Sequence, residues 1–267
     1  MSEARFRTIE VSDPRFEAEG LRWVTVKSPA LRHRADLTLY VPGDFASRTS
    51  LPLVILLHGV YGSHWAWALK GGAHRTTANL IKAGEIPPMI LAMPSDGLWG
   101  DGSGYLPHRD LDFERWIVEE VPDAVREAVP SVNERSPVFI NGLSMGGFGA
   151  LRLAAKYPKR FRAAGGHSSI TQFTQFSMFV EEPLAAYDCD ESDRSVLDTL
   201  LRHRGELPPL RFDCGTEDQL IGFNRELSGQ LKQARIRHVY QEFPGGHNWP
   251  YWEAHLGDML RFFAQHL

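Results

Sequence analysis

The 267-residue sequence predicts an α/β fold, a mixed and mostly parallel sheet of about eight strands with helices on both faces. The apolar runs "LPLVILLHG", "PPMILAMPSD" and "SPVFINGLS" are typical of parallel strands that are covered on both sides. Amphipathic segments of helical length separate these runs. The alternation continues to the end of the chain, so residues 1–267 are expected to form one domain.

The first 42 residues have a different pattern from the rest. Segments 5–11, 21–28 and 35–41 alternate polar and apolar residues with period two, and polar connections join them. This pattern predicts an antiparallel ribbon over residues 1–42.

The remaining elements follow from periodicity. Helices are predicted at 74–83, 112–129, 146–157, 219–234 and 250–266, and further strands at 161–166, 209–213 and 237–243. Residues 168–208 break the alternation with mixed aromatic and acidic residues, which predicts an insertion over the active site. An ordinary surface loop with one short helix is the alternative.

Composition excludes several classes of partner. A net charge of −4 gives no broad basic field, so neither nucleic acid nor a membrane surface is expected to bind. The opening residues contain no long apolar run, and Cys189 and Cys214 are too few for a disulfide framework. A cytoplasmic protein acting on a small molecule is expected, with no cofactor and no metal, and a homo-oligomer is compatible with these features.

The stretch "NGLSMGGFGALRLAAKYP" places Ser144 between a buried strand and a helix, inside a GxSxG pattern that runs from Gly142 to Gly146. At such a corner the serine adopts a strained backbone, and side chains at the flanking positions would collide with the adjacent helix and strand. The pattern predicts that Ser144 is a nucleophile. The alternative is a glycine-rich turn with an incidental serine.

A serine nucleophile requires a base and an orienting acid, in the chain order Ser, Asp or Glu, His. His247 in "FPGGHNWPYW" follows the last strand and precedes the final helix, so it is the predicted base. Asp218 in "DCGTEDQL" is the predicted acid, because a residue past the strand end can turn toward the histidine. Asp213 closes the strand and is the rival, expected to cap that turn, and Glu217 adjoins the chosen residue.

Other histidines receive structural roles. His58 is expected to shape its loop, and His238 and His255 to be surface or interface residues. His167 follows another strand in "GGHSS" and is a candidate for lining the pocket.

Acyl transfer also requires donors for the oxyanion. The turn "HGVYG" offers the backbone N–H of Val60, or with less support Tyr61, to pair with that of Met145 at the helix start. A plain strand-ending turn is the alternative.

Aromatic residues are concentrated in the segments expected near the serine, which predicts a narrow apolar cavity and acyl chains of about two to four carbons. The predicted substrate-binding residues are Tyr61, Trp65, Trp67 and Trp249 besides His167, with Trp99 and Tyr105 after another strand. Packing beneath loops is the alternative for some of these rings.

The motifs "HG", "GLSMGGFGAL", "GTEDQ" and "GGHNWPYW", in this order, resemble the esterase D family of α/β hydrolases, and within it the small tributyrin-esterase-like carboxylesterases. The resemblance extends from about residue 35 to the end. It implies an α/β-hydrolase fold, a triad of Ser144, Asp218 and His247, and oxyanion donors at Val60 and Met145. The family also includes S-formylglutathione hydrolases, feruloyl and acetyl xylan esterases and mycolyl transferases, so it does not define the substrate.

Differences between this sequence and the other branches of the family favour an esterase of small acyl esters. S-formylglutathione hydrolases usually carry a cysteine after the oxyanion turn and a histidine after the double glycine, whereas this chain has "HGVYGSHW" and Phe148. Secreted cell-wall esterases and mycolyl transferases normally have a leader, and the opening residues show none. A binding protein on the same fold is the alternative from another class, and no clustered His and Asp pattern supports a metal-dependent hydrolase.

Overall fold

The computed structural model describes residues 5–45 and 48–267. The predicted ranges 1–42 and 1–267 also include residues 1–4 and 46–47, which lie outside the described residues. Within the described part of the chain, the main sheet has nine strands in the order β1-β2-β3-β5-β4-β8-β9-β10-β11, against about eight expected. A separate two-stranded sheet is formed by β6 and β7.

The strands are β1 (Ile9–Val11), β2 (Leu21–Lys27), β3 (Arg34–Tyr40), β4 (Leu53–Leu57), β5 (Ile90–Pro94), β6 (Pro107–His108), β7 (Leu111–Asp112), β8 (Val138–Leu143), β9 (Ala164–His167), β10 (Leu210–Gly215) and β11 (Val239–Phe243). Strands β1, β2 and β3 pair antiparallel, and β3 joins β5 antiparallel. All pairs from β5 through β4 and β8 to β11 are parallel. The carboxyl ends of these parallel strands therefore meet at one edge of the sheet.

The helices are α1 (Ala66–Leu69), α2 (Ala73–Lys82), α3 (Phe113–Arg115), α4 (Val121–Ala128), α5 (Met145–Lys156), α6 (Val196–Arg202), α7 (Ile221–Gln233) and α8 (Trp249–Ala264). The helix predicted at 112–129 is divided, because a π-helical turn at Trp116–Glu120 joins α3 to α4. No helix in the part of the chain that the structure describes has the length and hydropathy needed to span a membrane.

The sheet separates two apolar cores. Along β4, Leu53, Ile55 and Leu57 belong to the core that includes residues of α4, α5 and α7. The alternate residues Val54 and Leu56 belong to the other core, with residues of α2 and α8. All five of these β4 side chains are fully buried, as period-two alternation in a strand covered on both faces requires.

Segment 168–208 departs from the sheet and contains three 3-10 turns, at Phe173–Met178, Leu184–Ala186 and Glu191–Asp193, before α6. Ion pairs connect it to α5: Asp193 accepts from Lys156 at 2.9 Å and lies 3.4 Å from the Arg152 guanidinium. Arg152 also contacts buried Glu114 at 2.7 Å. Arg152, Glu114 and Asp193 are buried and Lys156 is partly exposed, so the pairing of Asp193 with both cations holds the segment against the helix that follows Ser144.

Candidate active site

Ser144 lies at the corner between β8 and α5 with φ 54° and ψ −117°, a conformation that is rare for residues with a side chain. A Cβ atom on Gly142 would lie 2.1 Å from the carbonyl oxygen of Gly146. A Cβ atom on Gly146 would lie 2.3 Å from the carbonyl oxygen of Leu57. The two glycines are therefore required for space, because the helix start and β4 are too close to admit side chains.

Ser144, His247 and Asp218 form a continuous hydrogen-bonded chain. The Oγ of Ser144 lies 3.0 Å from Nε2 of His247. The Nδ1 of His247 lies 2.9 Å and 3.1 Å from the two carboxylate oxygens of Asp218. Because a carboxylate only accepts, Nδ1 carries the hydrogen and Nε2 presents its lone pair to the serine hydroxyl.

The loops that carry the acid and the imidazole follow the neighbouring parallel strands β10 and β11 and are bonded to each other. The Thr216 N–H donates to the Phe243 carbonyl at 2.8 Å, and the Glu217 N–H donates to the Gly245 carbonyl at 2.9 Å. A Cβ on Gly215 would lie 2.2 Å from that same Gly245 oxygen. Direct backbone contact between the loops therefore fixes the separation of Asp218 from His247.

The Asp218 side chain is fully buried, whereas the His247 side chain is 17% exposed. Burial favours the neutral carboxyl, but the hydrogen bond and charge attraction from His247 oppose it, and the Leu220 N–H donates to Oδ1 at 2.8 Å. The balance holds the pKa of Asp218 below its ordinary value. The carboxylate is therefore ionised near neutrality and able to stabilise a positive imidazolium.

The backbone N–H groups predicted to bind the oxyanion belong to Met145 and Val60. Met145 is the first residue of α5, where backbone N–H groups have no intrahelical acceptor. The Tyr61 N–H donates to the Asp101 carbonyl at 3.1 Å, which removes Tyr61 as a candidate donor. Val60 and Met145 remain the pair of candidates.

A cavity of about 510 Å³ opens beside Ser144 and His247. The predicted residues Val60, Tyr61, Trp65 and Trp249 line it. Among the lining residues that the sequence analysis missed are Met178, Phe179 and Trp252. Phe179 stacks on the His247 ring at 5.2 Å between centroids, and Trp252 meets that ring edge-on at 5.1 Å.

The missed residues differ in how they could have been found. Trp252 lies three residues after Trp249 in α8, so both rings face the same side, and helical spacing could have identified it. Met178 and Phe179 come from segment 168–208, whose sequence has no periodicity. Their side chains are therefore placed by tertiary contacts rather than by a local pattern.

Two residues predicted to bind substrate do not line the cavity. Trp67 is 1% exposed, and its Nε1 donates to the Leu57 carbonyl at 2.9 Å, so it packs on the sheet beneath Trp249. His167 is fully buried, and its Nδ1 lies 2.9 Å from the Asp213 carboxylate. Both side chains point into the core on the α8 side of the sheet instead of toward the pocket.

Tyr105 and Trp99 were also expected near Ser144. Tyr105 is fully buried and donates its hydroxyl to the His58 carbonyl at 3.0 Å. Trp99 packs edge-on against His108 and Tyr187, at centroid distances of 4.4 and 4.7 Å. Both rings support the loops behind the cavity, which is the packing role given as the alternative.

The prediction that Asp213 caps the turn after its strand is wrong. The side chain receives hydrogen bonds from His167 and from the Tyr251 hydroxyl, because β9 and β10 pair His167 with Asp213 and α8 covers both. Glu217, the neighbour of Asp218, is exposed. His58 has the expected structural role, because its Nδ1 donates to the Gly59 carbonyl at 2.7 Å and its Nε2 accepts from the Asp96 N–H at 3.0 Å.

Among residues 5–45 and 48–267, no group of three or more His, Cys, Asp or Glu side chains is arranged to hold a metal ion. The hydrogen-bonded side chains of Ser144, His247 and Asp218 have the chemistry of an activated nucleophile. A hydroxyl, a neutral imidazole and a buried carboxylate in this order can convert the serine into a nucleophile at neutral pH.

The chain is similar in sequence to known esterases. The family described as "Putative esterase" matches residues 28–263. An acetyl esterase of Caldicellulosiruptor saccharolyticus is 27% identical over 81% of this chain and 84% of its own length. An S-formylglutathione hydrolase of Paracoccus denitrificans is 24% identical over 88% of this chain and 92% of its own length.

Solved structures have the same fold. A ferulic acid esterase superposes with a TM-score of 0.79 at 22% identity, covering 98% of this chain and all of that chain. A fluorophosphonate-binding serine hydrolase of Staphylococcus aureus superposes with a TM-score of 0.78 at 20% identity, covering 91% of this chain and 98% of its own. The predicted α/β-hydrolase fold is confirmed.

Proposed function

Because this chain belongs to the esterase family over residues 28–263, we propose that it is a serine carboxylesterase that hydrolyses small acyl esters through Ser144, His247 and Asp218. The supporting observation is the 3.0 Å contact between the Ser144 hydroxyl and the unprotonated nitrogen of His247. The Asp218 carboxylate at 2.9 Å fixes that tautomer.

Acylation begins when the Ser144 oxygen attacks the ester carbonyl carbon and its proton passes to Nε2 of His247. The carbonyl π pair moves to oxygen, and the backbone N–H groups of Val60 and Met145 donate hydrogen bonds to the resulting oxyanion. The intermediate then collapses, the bond to the alcohol oxygen breaks, and the imidazolium protonates that oxygen. The products of this stage are the free alcohol and an acyl-Ser144 ester.

Deacylation repeats these steps with water. Nε2 of His247 removes a proton from water as its oxygen attacks the acyl carbon. Collapse of the second intermediate breaks the bond to the Ser144 oxygen, which recovers the proton from the imidazolium. The acid is released and the site returns to its starting state.

The substrate class rests on the cavity. Five aromatic rings border about 510 Å³ beside Ser144: Tyr61, Trp65, Phe179, Trp249 and Trp252. We propose a preference for acyl chains of about two to four carbons, because a methylene that meets a ring forfeits about 1 to 3 kcal/mol of pocket binding. The acetyl esterase relative supports the same size class. A feruloyl, acetyl xylan or S-formylglutathione substrate is the second candidate, supported by the aromatic walls and the other relatives.

A panel of p-nitrophenyl esters with acetyl, butyryl, hexanoyl and octanoyl groups tests this proposal at matched solubility. We expect kcat/KM to be highest for acetyl or butyryl and to fall through octanoyl. A steady rise through octanoyl would contradict the short-chain preference. Methyl ferulate, acetylated xylan and S-formylglutathione run beside the panel, and a faster turnover of any of these would assign the chain to that branch.

Organisation and location complete the proposal. We propose that residues 1–267 form one domain, supported by the nine-stranded sheet whose strands come from positions between Ile9 and Phe243, with 168–208 as an insertion that contributes a wall of the cavity. We also propose a cytoplasmic location, supported by the free thiols of Cys189 and Cys214. The proposed partner is the small ester itself.

A further inference from the structure

A second imidazole–carboxylate pair lies in the core beneath the candidate triad. His167 at the end of β9 and Asp213 in β10 are directly paired in the sheet and fully buried. The Nδ1 of His167 lies 2.9 and 3.0 Å from the two Asp213 carboxylate oxygens. The Tyr251 hydroxyl of α8 donates to the same carboxylate at 2.9 Å.

The backbone of this pair is bonded to the segment that carries the nucleophile. The Ser144 N–H donates to the His167 carbonyl at 2.9 Å, so β9 holds the strained corner from its amide side. One residue on, the Ser168 N–H donates to the Asp213 carbonyl at 2.8 Å. A shift of β9 relative to β10 would therefore move Ser144.

Tyr251 links the same carboxylate to the loop that carries His247. Its N–H donates to the Asn248 side chain at 3.2 Å, which caps the start of α8. Its ring closes the space beside Gly245, where an added Cβ would lie 2.9 Å from the ring. The phenol hydroxyl at the other end of this ring reaches Asp213.

We propose that His167, Asp213 and Tyr251 are positioning residues that set the placement of the His247 imidazole relative to the Ser144 hydroxyl. The inference rests on the proposed function, because it concerns the geometry of that reaction. The three side chains do not line the cavity, so they act through the backbone of β9 and the start of α8.

The chemistry of the group suits a fixed support. An ionised carboxylate accepts but does not donate, so both neighbours must donate to it, and His167 carries its hydrogen on Nδ1. Burial and then the Asp213 charge raise the pKa of Tyr251, which keeps the phenol protonated as a donor at neutral pH. Buried charge-assisted hydrogen bonds of this kind are short and directional.

Replacement of Tyr251 by Phe tests the inference most cleanly, because the ring that packs on Gly245 is retained while the donor is lost. Tyr157→Phe is the matched control, since Tyr157 also donates its hydroxyl to a buried carboxylate, that of Glu114, but after the far end of α5. Each change is made in the native chain and in a His247→Ala background. Turnover of p-nitrophenyl acetate is expressed per folded protein, with thermal unfolding measured alongside.

We expect Tyr251→Phe to lower kcat about tenfold with KM within about twofold, since misplacement of reacting groups by about 1 Å costs about a hundredfold. In the His247→Ala background the same change should alter residual turnover by less than about twofold, because no imidazole remains to be misplaced. Tyr157→Phe should leave kcat within about twofold in both backgrounds. Asp213→Asn should lower kcat further than Tyr251→Phe because it affects both donors.

An equal loss from Tyr251→Phe in both backgrounds, or no loss in the native chain, would overturn the inference. If Asp213→Asn fails to fold, Tyr251→Phe and its control still decide the question. Failure of the proposed function has a different signature, because Ser144→Ala and His247→Ala would then leave native turnover unchanged. If Tyr251→Phe leaves kcat unchanged while Ser144→Ala abolishes turnover, only the positioning role is rejected.

Discussion

The two imidazole–carboxylate pairs of this protein share one local geometry and differ in their surroundings. In both, Nδ1 lies 2.9 Å from a fully buried aspartate that belongs to β10 or to the loop after it. His247 is 17% exposed and its Nε2 faces the Ser144 hydroxyl. His167 is fully buried, and its Nε2 has no hydrogen-bond partner among the described residues. The pair itself does not define a catalytic site; contact with a nucleophile and a cavity does.

Because their surroundings differ, the two imidazole–carboxylate pairs can have different roles during turnover. His247 borders the cavity, where it can take a proton from Ser144 and return it to a leaving alcohol. His167 has no access to the cavity, so the proposed role of its carboxylate partner is to fix strands and a helix. This contrast predicts how substitutions at Asp218 and Asp213 differ.

The largest contrast is expected between Asp218→Asn and Asp213→Asn. Loss of the Asp218 carboxylate removes both the correct imidazole tautomer and the charge that stabilises imidazolium, so kcat should fall about 10³- to 10⁴-fold. Loss of the Asp213 carboxylate disturbs position only, so we expect a decrease of about 10- to 100-fold. Steady-state kinetics with p-nitrophenyl acetate on folded protein measures both. A greater loss from Asp213→Asn would show that the acid has been assigned to the wrong residue.

A smaller effect is expected from pH. The pKa of Asp218 lies below its ordinary value, so its pairing with His247 stabilises the fold above about pH 3.9 and is lost as the pH falls through the lower folded value. The measurement is thermal unfolding of the native protein and of Asp218→Asn across one pH series. We expect the native protein's stability advantage from this carboxylate to be complete above about pH 3.9 and to shrink as the pH falls further. A difference between the two proteins that does not change with pH would contradict this role of the carboxylate.

Much of the fold follows from sequence because the parallel strands are short apolar runs between amphipathic helices. Ser144 is identifiable from the sequence as the candidate nucleophile because the corner leaves no room for side chains at Gly142 and Gly146, which produces the GxSxG pattern. His247 and Asp218 follow from chain order, since loops after neighbouring parallel strands meet at one edge of the sheet. These predictions depend on local pattern and topology alone.

The remaining features depend on packing between different segments of the chain, which no local sequence pattern reveals. His167 faces Asp213 because β9 and β10 pair in one particular register, and that register decides which side chain is buried. Trp67 turns into the core because its indole finds the Leu57 carbonyl. Phe179 reaches His247 from an aperiodic segment. In each case the partner lies in another segment of the chain, ten or more residues away.

The central claim is that Ser144 is the nucleophile, and covalent labelling tests it most directly. The native protein is treated with a p-nitrophenyl organophosphonate, and intact mass and peptide mapping identify the modified residue, with Ser144→Ala as the control. We predict one phosphonyl group per chain, on the peptide that contains Ser144, and no label on the Ser144→Ala protein, whose fold is retained. A label on another serine, or equal labelling of Ser144→Ala, would contradict the account.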